Sequence, residues 1–267
     1  MNDDNKINAA AKLLKAARQT RKRLPGLPSS YRPVDTEAAY RIQDDLVMQL
    51  TADHSSQPIG YKVGCTNTKA QQLLNIDRPF YGRLLADCAY SSPVHLTTDS
   101  FFMCIIEPEF AFQLGGDLPP IGVPYNADSV AGAIAAVLPA IEIVDSRYDN
   151  WTEVGGLSII ADNGSTGAWV QGDGRANWQD FELASHAVTL TVNDEDLRQG
   201  NGASVMGHPL NALIWLANTL CQQDRWLRAG DLVSTGTCCD VYPAALGDRI
   251  VADFGLLGKV EVNFISD

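Results

Sequence analysis

No stretch of this 267-residue chain approaches the roughly 18 consecutive apolar residues of a transmembrane helix, so none is expected. Positive charge is scarce as well: 20 lysines and arginines stand against 32 aspartates and glutamates, a net charge of −12. A surface of that sign repels phosphate, which argues against nucleic acid and anionic membrane as partners. The six cysteines, at 65, 88, 104, 221, 238 and 239, show no Cys-x-x-Cys spacing. Disulfide scaffolds belong to shorter secreted chains, so reduced, packed thiols are expected, Cys238 and Cys239 included. The polar, acidic opening Met1-Asn-Asp-Asp-Asn5 is unlike a secretory leader, and a cytoplasmic protein is expected. Internal repeats and low-complexity tracts are absent too.

What remains is the composition of an ordinary globular chain, 45% hydrophobic and 19% charged, long enough to bury a full core. Residues 1–57 read as a helical subdomain. One helix covers about 5–22, with Ile7, Leu13, Leu14 and Ala17 as its apolar stripe. The basic residues Lys15, Arg18, Arg21, Lys22 and Arg23 read as its solvated side and exit. Leu24-Pro-Gly-Leu-Pro-Ser-Ser30 breaks the helix. A second starts at the capping pair Asp35-Thr36 and carries Ala39, Ile42, Leu46 and Leu50 on one face.

Residues 58–267 read as mainly β, with strands at 59–64, 101–114, 139–145, 166–171, 186–192, 231–236, 248–254 and 258–264. Hairpin turns are expected at Asn193-Asp194 and over Gly255-Leu-Leu-Gly258. Helices are expected over 128–138 and over 209–222, where Pro209 suits the first turn. Strands do not alternate strictly with helices, so an α+β, mainly β core is favoured over a doubly wound parallel sheet.

The most informative local feature is Glu107-Pro-Glu109, set between the apolar runs Phe101–Ile106 and Phe110–Phe112. Alternation along a strand puts both glutamates on one face, roughly 7 Å apart. Such a pair repels and is poorly solvated unless a cation or protons offset it. Glu142, in the second apolar strand Leu138-Pro-Ala-Ile-Glu-Ile-Val-Asp145, offers a third carboxylate for a hard divalent ion. Pattern alone leaves a solvated face open for each. Pro108 removes a ladder donor, so this strand is expected at a sheet edge or locally kinked. Arg147 reads either as a clamp for a substrate carboxylate or as a partner of Asp145 or Asp149, and His208 reads as a helix cap.

Seven signatures line up in order: Gly60-Tyr-Lys-Val-Gly-Cys-Thr66, Asp77-Arg-Pro-Phe-Tyr-Gly82, Glu107-Pro-Glu109, Leu138 to Arg147, Ala161-Asp-Asn-Gly-Ser165, Gly207-His-Pro-Leu-Asn-Ala212 and Ala229-Gly-Asp231. The series resembles the 2-keto-4-pentenoate hydratase and 2-oxo-3-hexenedioate decarboxylase family of the fumarylacetoacetase-like superfamily, over nearly the whole chain. The resemblance implies a mixed β-sandwich roll with an N-terminal helical segment. It implies one Mg²⁺ or Mn²⁺ on Glu107, Glu109 and Glu142, a catalytic Lys62, and Ser165 against the substrate. A lysine partly buried at such a site is expected to have its pKa lowered toward neutrality and to carry protons. The implied substrate is a small 2-oxo acid and the implied reaction hydration of a 2-hydroxy-2,4-dienoate, as in meta-cleavage breakdown of aromatic compounds. A homo-oligomer is expected, with a pathway enzyme as a further partner.

One departure bears on the reaction. Many hydratases of this family read Pro-Asp-Phe-Gly or Pro-Asp-Tyr-Gly where this chain reads Pro79-Phe-Tyr-Gly82, so Phe80 replaces an acid beside the substrate. An apolar residue there is more like the decarboxylases. Decarboxylation, acylpyruvate-type C–C hydrolysis and an inactive partner subunit therefore stand as alternatives to hydration.

Overall fold

Capping and a shared apolar seam seat the two N-terminal helices. The computed structural model describes residues 3–52, 56–120 and 124–266. Within them α1 spans Asp3–Thr20 and α2 spans Thr36–Thr51. Asp35 accepts from the Ala38 amide at 2.8 Å, which satisfies one of the orphan donors in the first turn of α2. Ala10, Ala11 and Leu14 of α1 pack with Ile42 and Leu46 of α2, and both helices close over Tyr148 and Ala161. The basic stretch is not simply a solvated face, as expected: Arg18 turns inward to Asp162, and Arg21 and Arg23 lie over the Phe102 ring.

Next come β1 (Pro58–Gly64), α3 (Thr68–Leu74), β2 (Phe80–Leu85), β3 (Ala89–Ser91), β4 (Val94–Thr97) and β5 (Ile105–Leu114). They are followed by α4 (Ala127–Ala131), β6 (Ile134–Val144), α5 (Gly156–Ala161), β7 (Thr166–Gln171), β8 (Ala187–Val192) and β9 (Glu195–Asn201). α6 (Pro209–Cys221) then leads into β10 (Leu232–Thr237), β11 (Tyr242–Pro243), β12 (Arg249–Asp253) and β13 (Lys259–Ile265). His208 caps α6, its side chain accepting from the Leu210 amide at 3.0 Å. Among the described residues no helix is long and apolar enough to cross a membrane.

The strands form two mixed sheets, one ordered β2-β1-β10-β5-β6-β7-β3 with β11 against β5, the other β4-β13-β12-β8-β9. Strands β8, β12 and β13 alternate buried with more exposed residues, the pattern of a sheet with one wet face. Strands β5 and β6 are buried almost throughout. Phe110 of β5 meets Phe254, at the end of β12, edge to face at 5.1 Å, so the apolar core lies between the sheets. The larger sheet also curls. Trp169 Nε1 on β7 donates to Ser234 Oγ on β10 at 2.9 Å, although β5 and β6 lie between them. A flat sheet would hold those strands about 14 Å apart. The result is the expected mainly β, α+β roll, and Trp169, Ser234 and Glu109 meet inside the curl.

Two further local expectations fail. The segment 128–138 is not one helix: α4 ends at Ala131, and β6 pairs Val137 and Leu138 with Phe112 and Ala111. A short apolar run fits either periodicity, and pairing with β5 decides it. Nor is Pro108 on an edge, because β5 lies between β10 and β6. The irregularity falls on the neighbour instead: β10 shifts register between Ser234 and Thr237, and the Cys238 amide donates to the Pro108 carbonyl at 2.9 Å.

Candidate active site

The register of β5, β6 and β7 places Glu107, Glu142 and Trp169 in one row across the sheet. Glu109, two residues along β5, shares the face of Glu107. The three carboxylates offer oxygen atoms that all lie within 4.8 Å of one another. Glu109 Oε2 accepts from Ser234 Oγ and, at 3.0 Å, from the Gly236 amide. Glu109 Oε1 and Glu142 Oε1 are buried and accept nothing. Lys62 of β1 is buried beside them, Nζ 3.0 Å from Glu142 Oε2 in an ion pair that is not aligned as a hydrogen bond. Converging, unpaired carboxylate oxygens with no nitrogen or sulfur donor among them fit a hard divalent cation.

Burial, followed by the Glu142 charge, pushes the Glu107 carboxyl up to about 7 against the pull of Lys62. Burial is also the main cause raising Glu109 and Glu142. For Lys62 burial is the largest single influence and acts downward, but Glu142, Glu107 and Glu109 together outweigh it and raise its pKa. The expected fall toward neutrality is therefore reversed, because three acidic neighbours hold the ammonium in its charged form.

A metal must displace the protons these carboxylates retain. One proton held near pH 7 is expected to make the affinity for a divalent ion such as Mg²⁺ about tenfold weaker at pH 6 than at pH 8, and the raised Glu109 to steepen that. The same shifts make the metal-free fold lose stability as pH rises from the ordinary carboxylate range through 7. Calorimetric Mg²⁺ titration at the two pH values checks the first expectation; equal affinities contradict it.

A cavity of about 1240 Å³ opens over this cluster, with Lys62, Glu107, Phe80 and Ser165 in its wall. Phe80 of β2 is wedged between two glycines, and a Cβ on Gly64 or Gly164 would lie 2.5 or 3.0 Å from its ring. Lys62 Nζ stands 5.6 Å from the centre of that ring. Ser165 is buried with its hydroxyl unpartnered, the last of three successive residues with positive φ, Asn163, Gly164 and Ser165. The structure thus gathers Lys62, Glu107, Phe80 and Ser165 in the wall of one cavity, with Glu109 and Glu142 fully buried beside Glu107.

Arg147 is not in its wall. It is buried behind the 162–165 turn, where Nε donates to both Asp162 carboxylate oxygens at 2.9 Å and one terminal nitrogen lies 3.5 Å from Asp145. Arg18 reaches the same Asp162 from α1 at 3.2 Å. Asp162 is a residue that sequence reasoning passed over, since neither partner is near it in the chain. Asp162→Asn removes the carboxylate that Arg18 and Arg147 share, leaving Arg147 only Asp145 at 3.5 Å, and is expected to destabilise the fold by about 3–5 kcal/mol. Urea denaturation measures this, and a loss under about 1 kcal/mol contradicts it.

Residues 89–265 match the family described as fumarylacetoacetate (FAA) hydrolase C-terminal. Over 264 residues, 99% of each chain, the protein is 33% identical to a 2-keto-4-pentenoate hydratase of Paraburkholderia phymatum. Over 266 residues, again 99% of each chain, it is 30% identical to a 2-hydroxyhexa-2,4-dienoate hydratase of Comamonas testosteroni. Among solved structures, 4-oxalocrotonate decarboxylase from Pseudomonas putida G7, complexed with magnesium and adipate, is similar with a TM-score of 0.90 at 25% identity over 98% of both chains.

Proposed function

Because the chain belongs to the fumarylacetoacetate hydrolase family, we propose that it is a divalent-metal-dependent hydratase adding water to a 2-hydroxy-2,4-dienoate to give a 4-hydroxy-2-oxo acid. The observation that carries this reading is the trio of converging, buried carboxylates beside a buried lysine at one cavity. Relatives named as hydratases, matched over 99% of each chain, support it.

Glu107, Glu109 and Glu142 would hold the ion, Mg²⁺ or Mn²⁺, through oxygen alone. When bound, such an ion supplies Lewis acidity toward the carboxylate and 2-oxo oxygens of the substrate and stabilises enolate charge. The chemistry has two stages. First the 2-hydroxyl loses its proton and the far carbon of the diene gains one, leaving a 2-oxo-3-enoate. Lys62 is held protonated by its neighbours in the metal-free protein, so Nζ is poised to give that proton, and the neutral amine left behind can take up the one that the 2-hydroxyl releases. Water then adds across the conjugated double bond, oxygen to C4 and hydrogen to C3. Ser165 offers its unpartnered hydroxyl to a substrate oxygen. Phe80 offers no proton, which leaves that work to Lys62.

Decarboxylation of a 2-oxo-3-enedioate is a second reading, favoured by one observation. Lys69 and Arg198 both line the cavity, Lys69 paired with Asp240 at 2.8 Å, so two cationic side chains stand where a second substrate carboxylate would be drawn. Both readings need the ion. Chelator-treated protein is expected to leave 2-hydroxypenta-2,4-dienoate unconsumed, with turnover restored by Mg²⁺ or Mn²⁺. Full activity after chelation overturns the assignment.

A further inference from the structure

Two hydroxyls in the cavity wall are almost wholly buried yet have no hydrogen-bond partner: Ser165, 1% exposed, and Thr66, 3% exposed. Buried polar groups are seldom left unpaired, because desolvation is then uncompensated. Ser165 has a role in the reading above, whereas Thr66 has none.

The backbone around Thr66 is built to hold that hydroxyl in place. The preceding residue, Cys65, has φ +56°, a conformation that non-glycine residues rarely adopt and that persists only where the surroundings impose it. Two hydrogen bonds impose it here: Gln71 Nε2 donates to the Cys65 carbonyl at 3.0 Å, and the Met206 amide to the Thr66 carbonyl at 2.9 Å. Opposite lies Gly236, at φ +99°, where a Cβ would fall 2.0 Å from Thr66 Oγ1. Glycine alone leaves room for the hydroxyl. The amide of that same glycine donates to Glu109 Oε2, which ties the seat of Thr66 to the carboxylate trio. Packing does not call for this hydroxyl, since valine has nearly the same shape and leaves no donor unpaired.

We infer that Thr66 is a second substrate-binding hydroxyl of this site, donating to an oxygen of the 2-oxo acid. The inference rests on the hydratase reading, because a 2-oxo acid brings the acceptor oxygens that the cavity wall does not supply to Thr66.

The test compares wild type with Thr66→Val and Thr66→Ser. Wild-type turnover of 2-hydroxypenta-2,4-dienoate with Mg²⁺ tests the hydratase reading by itself. Calorimetric binding of 2-oxopentanoate, which has no double bond to hydrate, tests Thr66. Thr66→Val is expected to weaken that binding and raise KM about 10- to 100-fold, while Thr66→Ser stays within about threefold of wild type. Mg²⁺ affinity and thermal midpoint should hold in both variants. If Thr66→Val does not fold, Thr66→Ala carries the same measurement. The inference is overturned if the variant lacking the hydroxyl binds 2-oxopentanoate as wild type does, if the serine variant loses as much, or if Mg²⁺ affinity falls in parallel. Thr66-dependent binding without hydration by wild type instead overturns the hydratase reading alone.

Discussion

Glu109→Gln is expected to abolish turnover and to weaken Mg²⁺ binding more than about 100-fold while leaving a folded protein. Removing one of three ligand charges weakens attraction for a divalent ion in a site where water screens little. The metal-free fold responds in the opposite direction. Glu109 is fully buried and its pKa is raised by burial first and then by Glu142 and Glu107, so its charge opposes folding at neutral pH. Metal-free Glu109→Gln should therefore match or exceed wild-type stability, and saturating Mg²⁺ should stabilise wild type far more than the variant. Glu107→Gln and Glu142→Gln should also be inactive. Glu142→Gln differs in stability, because it takes from Lys62 the carboxylate 3.0 Å away. Thermal melts with and without Mg²⁺ separate these cases. A Glu109→Gln protein that still binds Mg²⁺ tightly contradicts the ligand assignment.

Lys62→Met is expected to lower kcat by about 10²–10⁴, the usual scale for loss of a positioned acid or base. Its effect on Mg²⁺ should be small and toward tighter binding, since a cation beside the three carboxylates is removed. That combination distinguishes a proton carrier from a ligand or a prop. Single-turnover kinetics with Mg²⁺ titration of the same variant reads both quantities. Loss of metal binding together with activity would mean that Lys62 positions the site and would leave the proton step without a carrier. The raised pKa of Lys62 in the metal-free protein reflects its three acidic neighbours, and a divalent cation on those carboxylates opposes the same shift.

Glu107 and Glu109 were legible as a pair because strand alternation is local: two residues apart means one face. Glu142 was legible only as a third carboxylate in a similar apolar strand. Its place opposite Glu107 depends on the β5–β6 register, and the resemblance to a family supplied the grouping. The N-terminal helices were readable from their caps and stripes, and α6 from Pro209 and its apolar face. Strands β3 and β11 span three and two residues, too few to carry a periodicity of their own. The run from Ile134 to Leu138 misled because Ile134, Val137 and Leu138 also fit one helical face, and only pairing with β5 resolves that ambiguity. Asp162 was hidden for a different reason, lying 144 residues from Arg18. Thr66 stood inside a quoted signature, but what sets it apart is an unpaired hydroxyl facing a glycine 170 positions away, which no local pattern records.

The central claim is that the carboxylate trio and Lys62 serve addition of water with the carbon skeleton intact. Incubating the Mg²⁺-loaded protein with 2-hydroxypenta-2,4-dienoate, and separately with the dienoate bearing a second carboxylate, in H₂¹⁸O tests it most directly. Mass analysis is predicted to find ¹⁸O at C4 of a 4-hydroxy-2-oxo acid that retains every carbon of its substrate. Release of one CO₂ per substrate consumed, with no label at C4, would contradict it.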